Sequence, residues 1–417
     1  MNRNLKLFLC STSLILGSSL GLASLVSCNN NSVIVDSKIT SFDVSLKSGN
    51  SSIEVGSVDT IIISNVSPST LAGSYSFTSS DQSVAIVDSS GVITAIKKGN
   101  TTITITEKNG ANNTLKVNIN EGDEEFSLIS PAGAPTLAIY DTIAQKQGAE
   151  TTSQVTQIPL SLKLGTYNYV VFDSISALKL INAKEADYSY QTMLTIGNFH
   201  LAGFNTKAQP KVGDKIVTFG QNLVPDLAFK TAYPELFVSS NLNNIQYVNS
   251  VSDIVPILKT GLFQGSAVNY CFVAQPALFN VMSTNNNDAD ATNDITDIEN
   301  LNDKIYEITD GKFNYIPQGA LFVKNSYLSK KPSYVADFLA DVKLQMKNAR
   351  GADLDAVVTS MEKVSPNVQE QVAKYGFNEN VAKALQANDK NQFGIMDPDF
   401  PITLDNINEF LTTINYK

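Results

Sequence analysis

The chain is poor in the residues that most often carry out chemistry. Its 417 residues include one histidine, His200, three cysteines and no tryptophan. No set of cysteines and histidines has the spacing of a metal site, and no glycine-rich phosphate loop is complete. Because a lone histidine in a strand-like stretch is usually structural, we expect no catalytic role for His200. These shortages argue against a metalloenzyme or a nucleotide-dependent enzyme, and we predict a non-enzymatic protein without a cofactor or bound metal.

Basic residues are also scarce. The sequence has 30 Lys and Arg against 40 Asp and Glu, which gives a formal net charge of -10. No basic run reverses this excess, and a negative surface repels nucleic acid and anionic lipid. We therefore expect no nucleic-acid partner. The hydrophobic share of 43% is that of an ordinary folded protein, and the length allows two or three domains.

Cys28 is the most informative cysteine because of the residues before it. A short basic head leads into an apolar run over residues 7–22, which closes with Leu25-Val26-Ser27-Cys28. This order is typical of a bacterial lipoprotein signal, with cleavage before the cysteine and lipid attached to its sulfur. We expect residues 1–27 to be the signal peptide, residues 28–34 to be a tether, and the protein to be lipid-anchored at the extracellular face of the cell membrane. The alternatives are an ordinary transmembrane helix, for which the run is short, and a soluble protein with an apolar start.

Residues 35–120 have the pattern of an all-β domain. Short β-branched runs recur there, separated by Gly, Asn, Asp and Ser, without helical periodicity. Three features, Ser79-Ser80-Asp81, the turn at Gly91 and Lys98-Gly99-Asn100-Thr101, follow one another in the order seen in bacterial immunoglobulin-like group 2 domains, which the span resembles. Phe77 stands where that family usually has tryptophan. The resemblance implies an immunoglobulin-like sandwich that serves as a spacer or in surface adhesion.

After an acidic hinge at residues 120–125, the pattern changes to an α/β body over residues 126–417. Strand-like runs alternate with helix-length segments, and the last third is rich in helices, which predicts α/β lobes with mainly parallel sheets. Several turns end a strand and begin a helix, at residues 130–136, 172–176 and 220–226 among others. Ligands bind beyond the carboxyl ends of such strands, and free amides at helix N-termini favour anionic or strongly polar groups.

The order of segments in the body resembles the solute-binding proteins of ABC importers, in the branch that binds sulfonates, nitrate and thiamine precursors. The segments that carry the resemblance are residues 130–138, 169–174, 195–201, 215–222, 273–277, 316–323 and 332–339. Gln275 stands where that branch often has glutamate. The resemblance implies a two-lobed periplasmic-binding-protein type 2 fold, with lobe one at 126–214 and 316–417 and lobe two at 215–315. It also implies a small-molecule solute held between the lobes and delivered to an ABC permease, with no bond made or broken.

Within this frame we predict the ligand-binding residues at the strand ends and lobe crossings. They are Gly133, Ala134, Asp173, Ser174, Asn198, Gln221, Asn222 and Gln275. Tyr140, Phe172 and Tyr270 are candidates to stack on a flat ligand. Asp173 favours a donor or a cationic group, which points to an aromatic or amine-bearing solute rather than a simple inorganic anion.

Two other interpretations stay open. A surface adhesion or host-interaction lipoprotein would use the immunoglobulin-like module, and an enzyme is a more distant alternative. Residues 288–299 have the acidic spacing of an EF-hand calcium loop, with Glu299 in the last position, and a solvated surface insertion would show the same spacing. Cys271 lies in an apolar run, where we expect an inert core thiol.

Overall fold

The first domain of the chain is a β sandwich. A computed structural model describes residues 38–285, 294–388 and 393–414, so the predicted signal peptide, the tether and Cys28 lie outside the described residues. The strands of the sandwich are β1 (Ser41–Leu46), β2 (Ser52–Glu54), β3 (Val58–Ser67), β4 (Tyr75–Ser79), β5 (Ala85–Val87), β6 (Val92–Ala95), β7 (Gly99–Glu107) and β8 (Asn112–Asn120).

The sandwich forms because its strands alternate between apolar and polar side chains. One sheet has the order β1-β3-β6-β5 and the other β2-β8-β7-β4. In β7 the inward positions hold Ile103 and Ile105, both fully buried, while the residues between them are partly exposed. Since successive side chains of a strand point to opposite faces, this alternation places one face of each sheet in a shared core.

The second domain has two α/β lobes. Lobe one contains the sheet β10-β9-β11-β20-β12. Its strands are β9 (Leu128–Pro131), β10 (Ala149–Thr152), β11 (Tyr169–Asp173), β12 (Tyr188–Met193) and β20 (Gly319–Lys324). Its helices are α1 (Ala134–Ala138), α2 (Tyr140–Gln145), α3 (Ile158–Leu164), α4 (Ser174–Asn182), α9 (Asn325–Lys330), α10 (Pro332–Lys347), α11 (Leu354–Val364), α12 (Val368–Tyr375) and α13 (Glu379–Asn388).

Lobe two contains the sheet β15-β14-β18-β13-β19. Its strands are β13 (Phe199–Phe204), β14 (Ile216–Phe219), β15 (Ile245–Val248), β18 (Tyr270–Ala274) and β19 (Ile295–Asn300), and a small hairpin pairs β16 (Leu262–Phe263) with β17 (Ser266–Ala267). Its helices are α5 (Val224–Ala232), α6 (Val251–Thr260), α7 (Ala277–Asn285) and α8 (Leu301–Ile308).

The last helix, α14 (Leu404–Thr413), bridges the two lobes. Ile407 on this helix is fully buried in a core cluster of lobe one, and Phe410 is buried in the core of lobe two. Among the described residues, no helix combines the length and the apolar composition that crossing a bilayer requires.

Two details of the α/β body differ from the sequence-based expectation. Each sheet is mixed rather than mainly parallel, because its last strands return antiparallel: β11 pairs with β20, and β18 with β13. In addition, β13 belongs to lobe two, so the first crossing lies before residue 199 rather than at 214/215. Residues 199–214 were assigned to lobe one because a single strand gives no local sign of its partner, which here lies some seventy residues along the chain.

The acidic segment after β8 was predicted as a hinge, but it is bound to lobe one. The buried Lys331 ammonium donates to the backbone carbonyls of Glu121 and Asp123. Glu121 is itself buried, and its carboxylate accepts from the amide of Ser333 at 3.0 and 3.2 Å, in the first turn of α10. A carboxylate at a helix N-terminus is stabilised by the free amides and the helix dipole. The segment is therefore not the free hinge that its composition indicated, and the domain boundary placed there stays a prediction.

Candidate functional site

A cavity of about 400 Å³ lies between the two lobes. It is lined at the carboxyl ends of β9, β11, β14, β15 and β18, where loops lead into helices, and by Gln318 and Gly319 at the return crossing. This is the place where ligands bind in open α/β sheets, because the loops and helix N-termini converge there. The cavity is large enough for a small metabolite and is shared by both lobes.

Asp173 links the two lobes across this cavity. It is the N-terminal cap of α4, where its Oδ1 accepts from the amide of Ser176 at 2.8 Å. Its Oδ2 accepts from the amide of Val224 at 2.6 Å, and Val224 begins α5 in lobe two. Burial, the largest influence, raises the pKa of the Asp173 carboxyl above its ordinary value, while the two N–H donors oppose that rise. One carboxylate thus completes a helix cap in one lobe and a hydrogen bond to the other.

Two amide side chains, those of Asn198 and Gln318, join the crossings to lobe two. Nδ2 of the buried Asn198 donates to the backbone carbonyl of Gln275 at 2.7 Å, which leaves Oδ1 to accept from Nε2 of Gln318 at 3.0 Å. Because a carbonyl can only accept, these bonds fix the orientation of both amides. The Gln318 Oε1 atom is then a buried acceptor without a hydrogen-bond partner in the described part of the chain.

Oxygen acceptors from side chains of the chain itself lie at the N-termini of the lobe-two helices that face the cavity. Asp226, in the first turn of α5, is buried and accepts from the Asn222 amide, the Lys230 ammonium and the Tyr247 hydroxyl. At α6 the Asp253 carboxylate accepts from the amide and hydroxyl of Ser250, both at 3.0 Å.

At α7 the Gln275 Oε1 accepts from the amide of Phe279 at 2.9 Å. The first turns of these helices therefore already hold the chain's own oxygen acceptors.

The walls of the cavity are mostly apolar, and part of them comes from the end of α12. Gly376 has φ +84°, and a Cβ at this position would lie 3.1 Å from the Gly133 amide nitrogen. That amide donates to the Tyr375 carbonyl at 2.7 Å, so two backbones meet closely where only glycine fits. Phe377 and Phe219 line the cavity from opposite lobes. The contribution of Gly376 and Phe377 was not predicted, because their sequence indicated only the end of a helix.

Five of the eight predicted ligand-binding residues line the cavity: Gly133, Ala134, Asp173, Asn198 and Gln275. The other three lie elsewhere. Ser174 is the fully buried first residue of α4, the side chain of Gln221 is exposed, and the backbone amide of Asn222 donates to Asp226. Whether the five residues contact a solute stays a prediction.

Of the candidate stacking residues, Phe172 lines the cavity, whereas Tyr140 and Tyr270 are core residues. Tyr140 accepts from Asn348, and the Tyr270 hydroxyl donates to the Ala208 carbonyl. A single sequence does not separate these roles, because an aromatic residue at a strand end and one in a core have the same local pattern.

The remaining reactive side chains lie outside the cavity. His200 is buried in β13, with Nδ1 2.9 Å from Asp297 Oδ2. Cys271 is fully buried in β18, and its burial raises the pKa of the thiol. Both positions are compatible with the structural roles expected from the sequence.

The calcium-loop spacing is only partly visible. Its first residues, Asp288 among them, lie outside the described residues. Its last position, Glu299, is in strand β19 and accepts a hydrogen bond from the Tyr233 hydroxyl. Within the described part of the chain, no group of three acidic, cysteine or histidine side chains is placed to hold a metal ion.

Comparisons with known proteins support this architecture. Residues 39–117 match the model of the bacterial Ig-like domain (group 2) family. No curated protein sequence matches the chain.

Among solved structures, a protein from Bordetella bronchiseptica RB50 aligns with a TM-score of 0.51 at 13% identity, over 70% of this chain and 89% of that one. An ABC transporter from Parabacteroides distasonis aligns with a TM-score of 0.50 at 15% identity, over 70% and 92%. The alkanesulfonate-binding protein SsuA from Xanthomonas axonopodis pv. citri aligns with a TM-score of 0.45 at 12% identity, over 70% and 92%. The chain thus has an immunoglobulin-like domain followed by the two-lobed fold of type 2 periplasmic binding proteins.

Proposed function

We propose that this protein is the solute-binding component of an ABC import system. In this proposal the two lobes close around a small solute, and the loaded protein delivers it to a permease in the membrane without chemical change. The observation that carries the proposal is the cavity of about 400 Å³ between two lobes that Asp173 connects through its hydrogen bond to Val224. Hinge closure around a ligand is the usual action of two lobes joined by crossing strands. The likeness to an ABC transporter structure supports the same function.

The crossing between the lobes can act as a hinge. The two crossing segments pair through an antiparallel bridge between Ile196 and Pro317 and through backbone hydrogen bonds such as Gly197 N–H to the Ile316 carbonyl at 2.8 Å and Thr195 N–H to the Gly319 carbonyl at 3.0 Å. Small changes in the backbone angles of such a two-stranded ribbon can rotate one lobe relative to the other. In the proposed cycle, opening would break the bond between Asp173 and Val224 and leave this ribbon intact.

The proposal also includes anchoring through Cys28. The lipid would hold the chain at the extracellular face of the membrane, near its permease, with the immunoglobulin-like module between the anchor and the lobes. Metabolic labelling with an alkyne fatty acid tests this part: the wild type is expected to carry the label in the membrane fraction, and Cys28→Ala to lose it. Labelling of the Cys28→Ala variant would contradict anchoring at this residue.

Solute capture is tested by native mass spectrometry of the full chain, before and after denaturation and refolding. We expect a bound small molecule that is lost on refolding and that restores thermal stability when it is added back. Saturation to a hundred times the dissociation constant would stabilise the fold by about 2.7 kcal/mol. A chain that copurifies with no small molecule and is stabilised by no component of a rich growth medium would overturn the proposal.

A surface adhesion function is the second candidate, and one feature of the sandwich favours it. Val58 is 64% exposed, and Ile62, Ile86 and Ile96 are each at least 40% exposed on the sheet that contains β3, β5 and β6. Exposed apolar side chains gathered on one face can mark a protein-binding surface. Specific binding of the full chain to host matrix, lost when Val58 and Ile86 are replaced by Ser, would support this candidate.

A further inference from the structure

The cavity between the lobes has a lining with few charged side chains. Among the described residues that line it, Asp173 is the one ionisable side chain, and none is Lys, Arg or His. An anion taken out of water needs an opposite charge or several free donors to offset its lost hydration. The lining offers no cation among the described residues, and its ionisable group carries the same sign as an anion would.

The helix N-termini do not replace the absent cations. Such termini bind anions when their amides are free. Here the first amide of α5 donates to Asp173, and the Asp226 carboxylate lies in the same turn. Asp253 brings a further carboxylate to the start of α6. Each of these carboxylates offsets part of the positive charge at a helix N-terminus, and the helix therefore attracts an anionic solute less strongly.

Hydroxyl and amide side chains such as Ser252, Gln275 and Asn378 also line the cavity, and two groups there, on Gln318 and Asp173, have lone pairs left to accept a hydrogen bond. Gln318 lines the cavity, and its Oε1 has no partner in the described part of the chain, since Nε2 is bonded to Asn198. The carboxylate oxygens of Asp173 keep lone pairs beyond the two amides they accept from. Around these acceptors the walls are formed by Phe172, Phe219, Phe377 and aliphatic side chains. The lining therefore suits a solute that has an apolar body and places a hydrogen-bond donor at these acceptors.

We infer that the cavity takes a solute without net negative charge, one with an apolar or aromatic body and at least one hydrogen-bond donor, and that it excludes sulfonate and nitrate anions. This inference rests on the proposed function and specifies its substrate class.

Fractionation of a rich medium tests the inference. Yeast extract is separated at pH 8 on a strong anion exchanger into flow-through and salt-eluted fractions, and each desalted fraction is assayed for thermal stabilisation of the full chain. We expect the stabilising component in the flow-through. Stabilisation by the salt-eluted fraction alone would overturn the inference and leave solute binding intact. Stabilisation by neither fraction would overturn the proposed function and, with it, the inference.

A charge-gain variant tests whether charge is the cause. Ser153 lines the cavity from the loop after β10 and is exposed, so Ser153→Lys would add a cation at its edge, and Ser153→Met is the matched neutral control. With benzenesulfonate as the probe, we expect calorimetry to show at least tenfold tighter binding to the Lys variant than to the Met variant or to the wild type. Equal binding of benzenesulfonate to all three proteins would show that charge does not set the selectivity and would overturn the inference.

Discussion

The molecule has two joints, and they are built from different interactions. At the joint between the sandwich and lobe one, charged side chains are buried against the backbone: Lys331 on two carbonyls and Glu121 on the first turn of α10. At the joint between the lobes, the side-chain hydrogen bonds include those of two amides at the crossings, Asn198 and Gln318, and that of one carboxylate, Asp173, to one amide across the cavity. Both joints therefore connect a side chain on one body to the backbone of another.

The difference lies in what opening would require. Separating the sandwich from lobe one would leave the Lys331 and Glu121 charges to be rehydrated, and would free the Gly122 carbonyl that the Tyr334 hydroxyl donates to. We call the place where Asp173 and Val224 meet the mouth of the cavity. Opening it requires water to replace the hydrogen bond between these two residues, and the adjoining cavity is large enough to hold that water. We therefore expect the first joint to stay closed and the lobes to separate at the mouth of the second.

The largest expected effect is at the crossing of the second joint. In Asn198→Asp the donor to the Gln275 carbonyl is lost, and a buried carboxylate faces that oxygen instead. We expect a loss of about 3 kcal/mol in the free energy of unfolding at pH 7, because a buried charge is left without a donor on that side. Acidification protonates the new carboxyl and restores a donor, so the loss should shrink at low pH. A loss that is independent of pH would point to packing rather than charge.

A slightly smaller effect is expected when the first joint is broken. Lys331→Met keeps the apolar stem and removes the ammonium, leaving the carbonyls of Glu121 and Asp123 without their donor. We expect a loss of about 2 kcal/mol in denaturant unfolding and new protease cleavage within residues 120–125. Lys343→Met, at an exposed position on α10, is the control and should change neither measurement. Unchanged proteolysis in the Lys331 variant would show that the sandwich is held by other contacts.

The contribution of the bond between Asp173 and Val224 can be measured by comparing Asp173 with Asp353, a helix cap of the same residue type. Asp173 and Asp353 both cap a helix through a carboxylate, but only Asp173 also bonds to the other lobe. Each change to Ala should cost about 1 kcal/mol for the lost cap. Asp173→Ala should cost about 1 kcal/mol more and raise the radius of gyration in X-ray scattering, because the bond to Val224 is gone. Equal effects of the two variants would mean that this bond does not hold the lobes together.

The sequence predicted most of the elements that form these joints, but not how they meet. Short β-branched runs became strands of the sandwich, and the strand-to-helix turns at Gly133, Asp173 and Gln275 do line the cavity. These features are local, because strand alternation and turn residues act over a few positions. The partners of Asp173 and Lys331 lie about 50 and 210 residues away, and no local pattern identifies them.

The same limit explains the incorrect expectations. The amides at the helix N-termini were expected to be free for an anionic or strongly polar group of a ligand, yet Asp173 reaches from the other lobe to occupy the first one of α5. The acidic residues near position 121 indicated a hinge, yet Glu121 is 4% exposed because it accepts from the first turn of α10. A carboxylate and a free helix start are each visible in a sequence, whereas their pairing depends on the fold.

The smallest expected effect concerns the pH dependence of Asp173. Burial raises the pKa of its carboxyl in the folded chain above the unfolded value, so the folded state holds this proton more tightly. The stabilising contribution is therefore present at low pH and is lost as the pH rises through the folded pKa. Asp173→Asn lacks this titration, while other groups, including Asp226 and Lys230 on α5, remain in both proteins.

We expect the unfolding free energy of the wild type, minus that of Asp173→Asn, to decrease from pH 4 upward in denaturant titrations. Burial raises the pKa of Asp173, and the hydrogen bonds from the amides of Ser176 and Val224 lower it. The slope of this free-energy difference against pH therefore shows which of the two influences is larger. A difference that increases with pH would mean that the hydrogen bonds dominate and that Asp173 is held as a carboxylate. In that case the mouth would resemble the first joint, where buried charge is fixed by backbone groups.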